Sequence, residues 1–426
     1  MLSTLARWAY STLLRAATPL YFARLWWRGA REPAYRQHWR ERLGFTSAAI
    51  ARGRLWIHAV SLGETRAAAA LVDALRAQRP GLQLLLTHGT ATGREAGAAL
   101  LQDGDAQAWL PYDTPGAVRR FLAGHRPALG VLMETELWPN LLHSSRTLKV
   151  PMLLANARLS ERSQRKGKQL EVLLRPTAHA LSGVLAQTED DAQRLREAGA
   201  SDVQVLGNLK FDLTPDAAQI ARGQAWHAAL QRRVVLLASS REGEEASLLA
   251  AWRGLVAPRP LLVIVPRHPQ RFDEVAALAA AANWQVCRRS QWGDMPAIDA
   301  ALADVWIGDS LGEMALYYAL ADVALLGGSF APLGGHNLIE AAACGCPLFM
   351  GEHTFNFAQA ADMAIAAGAA ARVLDMAEGV RRAVALSADA QRSIWAQRAT
   401  RFAAAHRGAA ERMAHEVLRF MPEPSH

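Results

Sequence analysis

From Leu55 onward the chain repeats one pattern: a short apolar run, a polar or glycine-rich stretch, then a longer stretch with helical periodicity. Short runs that are apolar on both faces suit strands of a parallel sheet, because crossover helices cover both sides of such a sheet. We read strands at Leu55–Val60, Leu82–Thr87, Ala108–Pro111, Leu129–Met133, Pro151–Ala155, Gly183–Gln187 and Val203–Leu206. The turn-prone segment Gly207–Pro215 then interrupts the rhythm. A second series follows at Val234–Ala238, Leu261–Val265, Val305–Ile307, Val323–Leu326, Pro347–Met350 and Ala371–Leu374. The expected architecture is α/β, two Rossmann-like doubly wound domains in tandem, at 46–212 and 213–387. Residues 388–426 keep a helical pattern with no strand left to feed, and are expected to pack back on the domains.

Composition narrows the function classes. A chain of 426 residues with 51% hydrophobic content can bury two cores. Cys287, Cys344 and Cys346 are too few for a disulfide framework and read as core thiols in a reducing compartment. The formal charge of +8 asks for an anionic partner: nucleic acid, anionic lipid or a phosphorylated substrate. No zinc-finger or RNP-type signature and no basic groove-binding helix supports nucleic acid.

Residues 1–45 differ from the remainder. Met1–Trp27 is rich in leucine and aromatics but is interrupted by Arg7, Arg15 and Arg24, and no apolar run reaches the roughly eighteen residues of a spanning helix. It reads as an interfacial anchor whose arginines snorkel or meet lipid phosphates. A short span with a snorkelling Arg7, or a helix packed on its own domain, are the alternatives. Arg28, Arg31, Arg36, Arg40 and Arg42 follow, with only Glu32 and Glu41 against them. At a membrane, that basic flank marks the cytoplasmic side.

In open α/β sheets ligands bind outside the carboxyl ends of the strands, so polar strand exits carry the functional reading. Glu64 lies in Ser61-Leu-Gly-Glu64 after the first strand, at the mouth of a helix. There it serves either as a helix-dipole partner or as a base for a hydroxyl nucleophile. Glu134 and Glu136 follow the fourth strand and share one side of an extended chain. Asn156 and Arg158 follow the fifth, and Asn208 and Lys210 close the first series. In the second half, Arg241, Arg267 and His268 supply positive charge suited to a phosphate or carboxylate.

The stretch Gly327–Ala342 packs four glycines into nine positions between an apolar run and an Ala-rich helical pattern. A glycine loop feeding a helix N-terminus is an anion site, and Asn337 with Glu340 has capping-box spacing. Asp103-Gly104-Asp105 sits at the wrong end of its sheet for a metal site and reads as a turn. With no Walker A pattern and no dinucleotide fingerprint, we expect neither metal nor cofactor.

Taken together, Ser61-Leu-Gly-Glu64, Glu134-Thr-Glu136-Leu-Trp-Pro-Asn, Gly207-Asn-Leu-Lys210-Phe-Asp, Pro266-Arg-His-Pro, Gly308-Asp-Ser-Leu-Gly-Glu313 and Gly-Gly-His336-Asn-Leu-Ile-Glu340 resemble the 3-deoxy-D-manno-octulosonic acid (Kdo) transferases of Gram-negative lipopolysaccharide synthesis, glycosyltransferase family 30. The likeness spans roughly Arg40 to Asp375. It implies a GT-B fold with two domains facing across a cleft, and an N-terminal membrane-associating helix at the cytoplasmic face of the bacterial inner membrane. It further implies metal-independent, inverting transfer from CMP-Kdo to the phosphorylated lipid A precursor (lipid IVA). Carried over by motif, Glu64 is the proton acceptor, and Glu134 and Lys210 are transition-state stabilisers. Pro266, Arg267, Leu311, Gly312, Glu313, Asn337, Leu338, Ile339 and Glu340 are the CMP contacts. The chain departs from the family pattern at Asn337-Leu338-Ile339-Glu340, where Asn-Pro-Leu-Glu is frequent. The competing readings are a UDP-sugar transferase or epimerase of the same fold, and a non-catalytic membrane-associated nucleotide- or lipid-binding protein.

Overall fold

The computed structural model describes residues 2–46, 53–212, 214–296 and 298–422. The chain divides into two compact units, one formed by Met1–Asp212 with Arg407–His426 and the other by Leu213–His406. The first holds seven strands: β1 (Leu55–His58), β2 (Leu84–His88), β3 (Ala106–Trp109), β4 (Leu129–Met133), β5 (Met152–Ala157), β6 (Gly183–Ala186) and β7 (Val203–Val205). Their order is β3-β2-β1-β4-β5-β6-β7. The second holds β8 (Val234–Ser240), β9 (Leu261–Pro266), β10 (Val286–Arg288), β11 (Val305–Ile307), β12 (Val323–Leu326), β13 (Leu348–Met350) and β14 (Ala370–Arg372), ordered β10-β11-β9-β8-β12-β13-β14. Pairings in both sheets are parallel, as with Ile57 opposite Leu86 and Val131.

Continuous apolar runs follow from burial on both faces. Leu55 and Ile57 enter one core with Leu71 and Leu75 of the helix Leu62–Gln78, while Trp56 between them enters a second core with Phe121 and Leu141. In the second unit Val235 and Leu237 pack with Leu248, Trp252 and Val380. One strand escaped the sequence reading. Val286-Cys287-Arg288 is a half-buried sheet edge of three residues, and only its pairing with β11 makes it a strand. Of the thiols, Cys346 is buried whereas Cys287 and Cys344 are partly accessible.

Each sheet has a point where its connections change direction, between β1 and β4 in the first unit and between β8 and β12 in the second. There the helices that follow diverge to opposite faces and leave a crevice at the carboxyl edge. Glu64 follows β1 and Glu134 follows β4.

The last helix, Ala409–Phe420, returns to the first unit and buries Ala410, Met413, Ala414 and Val417 in the core that the helix Leu62–Gln78 also lines. Asp212 receives it. Its carboxylate accepts the N–H of Ala410 at 2.6 Å and that of Gly408, satisfying orphan donors at the positive end of the helix. The helix Arg392–Ala405 before it belongs to the second unit.

The first helix, Leu2–Arg28, has two apolar faces. One packs on the first unit: Tyr10 Oη donates to Asp113 at 3.0 Å, Ser11 Oγ to Asn140 at 3.0 Å, Tyr21 meets Tyr112 edge-on, and Leu25 joins Tyr35 and Trp109. At 100° per residue, Leu2, Leu5, Leu13, Leu20 and Trp27 fall on the opposite face, and they are exposed, Trp27 by 82%. Among the described residues no helix is long and apolar enough to cross a membrane.

The Asp212 cap makes a local prediction. Asp212→Ala is expected to cost about 1–2 kcal/mol at this helix. The cost would appear as lost amide-exchange protection across Ala409–Phe420, and unchanged protection there would show the cap to be idle.

Candidate functional site

In the first unit the chemistry starts with a helix cap. Ser61 caps the helix Leu62–Gln78 by accepting the N–H of Glu64, while its hydroxyl donates to Glu64 Oε1 at 3.1 Å. Glu64 Oε2 accepts the N–H of Val60 at 2.7 Å, so the carboxylate folds back over the turn as in a capping box. Burial raises its pKa and the charge of Glu134 adds to the rise, whereas the N–H of Val60, Ser61 and Lys210 oppose it. The result is a carboxylate of fixed direction and enhanced basicity.

Glu134 leaves β4 in the left-handed region at φ 59, which side chains other than Gly, Asn and Asp rarely adopt. Its N–H donates to Ala155 O at 2.9 Å and its carbonyl accepts the N–H of Arg158 at 3.3 Å. The carboxylate lies 3.5 Å from Lys210 Nζ and 3.5 Å from Arg158 Nε. Lys210 rides on the 3₁₀ turn Leu209–Asp212. Glu136 completes the group: burial pushes its pKa up to about 7, helped by the charges of Glu64 and Glu134. Glu64, Glu134 and Lys210 are thus brought together. Glu136, expected to share one side of an extended chain with Glu134, and Arg158, a polar strand-exit residue, belong to the same cluster, although the chain turns at Glu134 and is not extended there.

In the second unit the glycine loop follows β12. A Cβ at Gly327 would stand 2.4 Å from Ser239 O, so only glycine fits, and Gly328 takes φ 69. Part of the loop's donor capacity is already used. Glu244, in the first turn of the helix Glu244–Arg253, accepts the N–H of Gly328 at 2.8 Å, of Phe330 at 3.1 Å and of Arg241 at 2.9 Å. The helix after the loop is also shorter than its alanine pattern suggested, running only from Ile339 to Ala343. Asn337 precedes the N-cap position, which is Leu338, and its Oδ1 accepts the N–H of Ile339 at 3.1 Å, two residues on instead of the three of a capping box. Two N–H groups of the glycine loop are thus held by the protein's own carboxylate, and the helix that follows is short.

Positive charge gathers beside it. His336 feels Arg267, Arg241 and His268, and burial first and these charges second push its pKa down to about 4, which leaves a neutral ring near pH 7. Its Nε2 is buried and makes no hydrogen bond among the described residues. Pro266 ends β9, and the N–H of Arg267 donates to Ser240 O at 3.0 Å. On the loop after β11, Leu311 is 71% exposed and Gly312 has φ 79, with its carbonyl accepting from Gln219. Glu313 is held by Arg289 at 3.1 Å and Arg222 at 3.2 Å. Arg241, Arg267, His268 and His336 form one basic group, whereas Glu313 is ion-paired with Arg222 of the helix Ala217–Leu230 and Arg289 of the turn after β10. Among the described residues no set of three or more His, Cys, Asp or Glu is placed to hold a metal ion.

Known proteins match this chain along nearly all its length. The family model described as 3-deoxy-D-manno-octulosonic-acid transferase (kdotransferase) matches residues 37–213. A 3-deoxy-D-manno-octulosonic acid transferase of Bordetella pertussis is 47% identical over 423 residues, covering 96% of this chain and 98% of the relative. One of Haemophilus influenzae is 34% identical over 387 residues, covering 89% and 90%. Among solved structures, a glycosyltransferase of Rickettsia africae superposes with a TM-score of 0.58 at 10% identity, over 88% of this chain and all of that one, which speaks to fold alone. A UDP-GlcNAc 2-epimerase of Neisseria meningitidis gives 0.54 at 14% identity, over 86% and 99%. With two parallel-sheet α/β domains of the GT-B class and 47% identity to a Kdo transferase across 96% of its length, the chain belongs to the 3-deoxy-D-manno-octulosonic acid transferase family.

Proposed function

We propose that this protein transfers Kdo from CMP-Kdo to the phosphorylated lipid A precursor with inversion at the anomeric carbon and without a metal ion. The observation that carries the reading is Glu64, a carboxylate aimed by Val60 and Ser61 and made more basic by burial, beside the Glu134–Lys210 pair. A sugar hydroxyl of the acceptor forms the new C–O bond at the anomeric carbon as the bond to the CMP phosphate breaks. Glu64 takes the hydroxyl proton, and the phosphate departs with the electron pair. Glu134 and Lys210 are the transition-state stabilisers: the ammonium offers charge to the developing anion, and Glu134 holds it in place.

For the donor, Pro266, Arg267, Leu311, Gly312, Glu313 and Asn337–Glu340 are the CMP contacts, with the basic group around His336 facing the phosphate or the Kdo carboxylate. A neutral His336 can donate a hydrogen bond there without adding charge. No resident cofactor is required by this scheme. The acceptor is a membrane lipid, and the exposed face of the helix Leu2–Arg28, flanked by Arg15, Arg24 and Arg28, fits an interfacial position on an anionic membrane surface. We place it at the cytoplasmic face of the bacterial inner membrane.

Three outcomes are expected. Glu64→Ala should lower transfer by roughly 10²–10⁴-fold while calorimetric CMP binding persists, and near-normal turnover would remove Glu64 from the mechanism. A base must be deprotonated to act, so a raised Glu64 pKa moves the acid limb of the pH–rate profile above the ordinary carboxylate range. Glu134→Gln, which deletes the negative charge that adds to the rise of the Glu64 pKa, should move that limb to lower pH whatever it does to the rate; a limb that stays put would uncouple the two groups. Leu13→Glu with Leu20→Glu should reduce flotation with phosphatidylglycerol vesicles and leave turnover of a detergent-dispersed acceptor intact. Undiminished flotation would put the membrane contact elsewhere.

A further inference from the structure

β5 ends in a bulge. Its register with β6 shifts between Leu154 and Ala157, and Asn156 in that interval takes φ 50. Asparagine tolerates the left-handed region because its short carboxamide bonds locally. Here the conformation turns a fully buried side chain towards the next strand exits. Asn156 Oδ1 accepts the N–H of Leu209 at 3.1 Å, the residue before Lys210. Asn156 O accepts from Gln187 Nε2 at 2.9 Å, Gln187 Oε1 accepts from Asn208 Nδ2 at 2.9 Å, and Asn208 Oδ1 accepts the N–H of Lys210 at 2.9 Å. Three carboxamides from the exits of three neighbouring strands thus close a ring on the turn that carries Lys210. Backbone partners dictate the sense of the ring, since an N–H only donates and a carbonyl only accepts.

The same short segment also holds the other half of the ion pair. Ala155 and Arg158, on either side of Asn156, bind the backbone of Glu134. Residues 155–158 therefore set the distance between Glu134 and Lys210 from both ends.

We infer that Asn156 is a positioning residue for the transfer reaction: through the Asn156–Gln187–Asn208 ring it fixes Lys210 against Glu134 in the orientation the reaction uses. This rests on the proposed role of Lys210. Asn156 itself touches neither reacting atom.

The test uses Asn156→Gly, which keeps the left-handed backbone and the carbonyl bonded to Gln187 while deleting the carboxamide, with Asn208→Ala as a second, less buried break in the ring. Transfer kcat is expected to fall by up to about 10²-fold with KM for CMP-Kdo unchanged, as for a misplaced catalytic group. Combined with Lys210→Ala, either variant should add no further loss beyond that of Lys210→Ala alone. Multiplicative losses in the double variants would overturn the proposal, as would wild-type kcat in both single variants. Acylation of Lys210 by an N-hydroxysuccinimide ester, read by peptide mass, gives an account independent of turnover. Lys210 should label faster in Asn156→Gly, and an unchanged rate overturns the positioning. If Lys210→Ala turns over normally while labelling still responds to Asn156→Gly, the ring does position Lys210 and it is the catalytic role of Lys210 that falls.

Discussion

A parallel sheet buried on both faces leaves one place for chemistry, its carboxyl edge. The central strands of the two sheets spend their side chains on the cores, so polar groups survive where strands stop. At the change of direction between β1 and β4 the covering helices part, and Glu64 and Glu134 are the residues those two strands deliver. The site follows from topology before any side chain is considered.

Bringing several carboxylates to one edge raises an electrostatic problem that the structure meets in different ways. Glu134 is neutralised by Lys210 and Arg158, Glu64 is tied to an N–H and a hydroxyl, and Glu136 has its pKa pushed up to about 7. These solutions differ in weight. Arg158 is about half exposed, and such a pair contributes about 0–1 kcal/mol, whereas leaving a buried backbone group unsatisfied costs about 1–3 kcal/mol. The backbone bonds of Ala155, Arg158 and Asn156 therefore hold the geometry, and the ion pairs settle into it.

The glycine loop shows a related economy. A turn with this many glycines exposes N–H groups, and two of them, from Gly328 and Phe330, bind Glu244 instead of a ligand. That fixes the loop in advance, beside Arg241, Arg267 and His336.

Much of this was legible in the sequence. The two series of apolar runs, the glycine loop after Val323–Leu326, Glu64 at the mouth of a helix and the leucine- and aromatic-rich helix at the start are local or periodic properties, and periodicity survives translation into structure. Membership of the Kdo transferase family was likewise legible, through motifs in order. Tertiary structure alone decided the rest. β10 exists only because β11 offers it an edge, and the alanine-rich run after Asn337 folds as five helical residues and not as a long helix. Asn156, Gln187 and Asn208 looked like ordinary strand-exit residues, yet 52 positions separate the ends of their ring. Sequence specifies which side chain leaves each strand. Which exits become neighbours, and hence which hydrogen bonds and charges a side chain feels, is set by strand order, a property of the folded sheet.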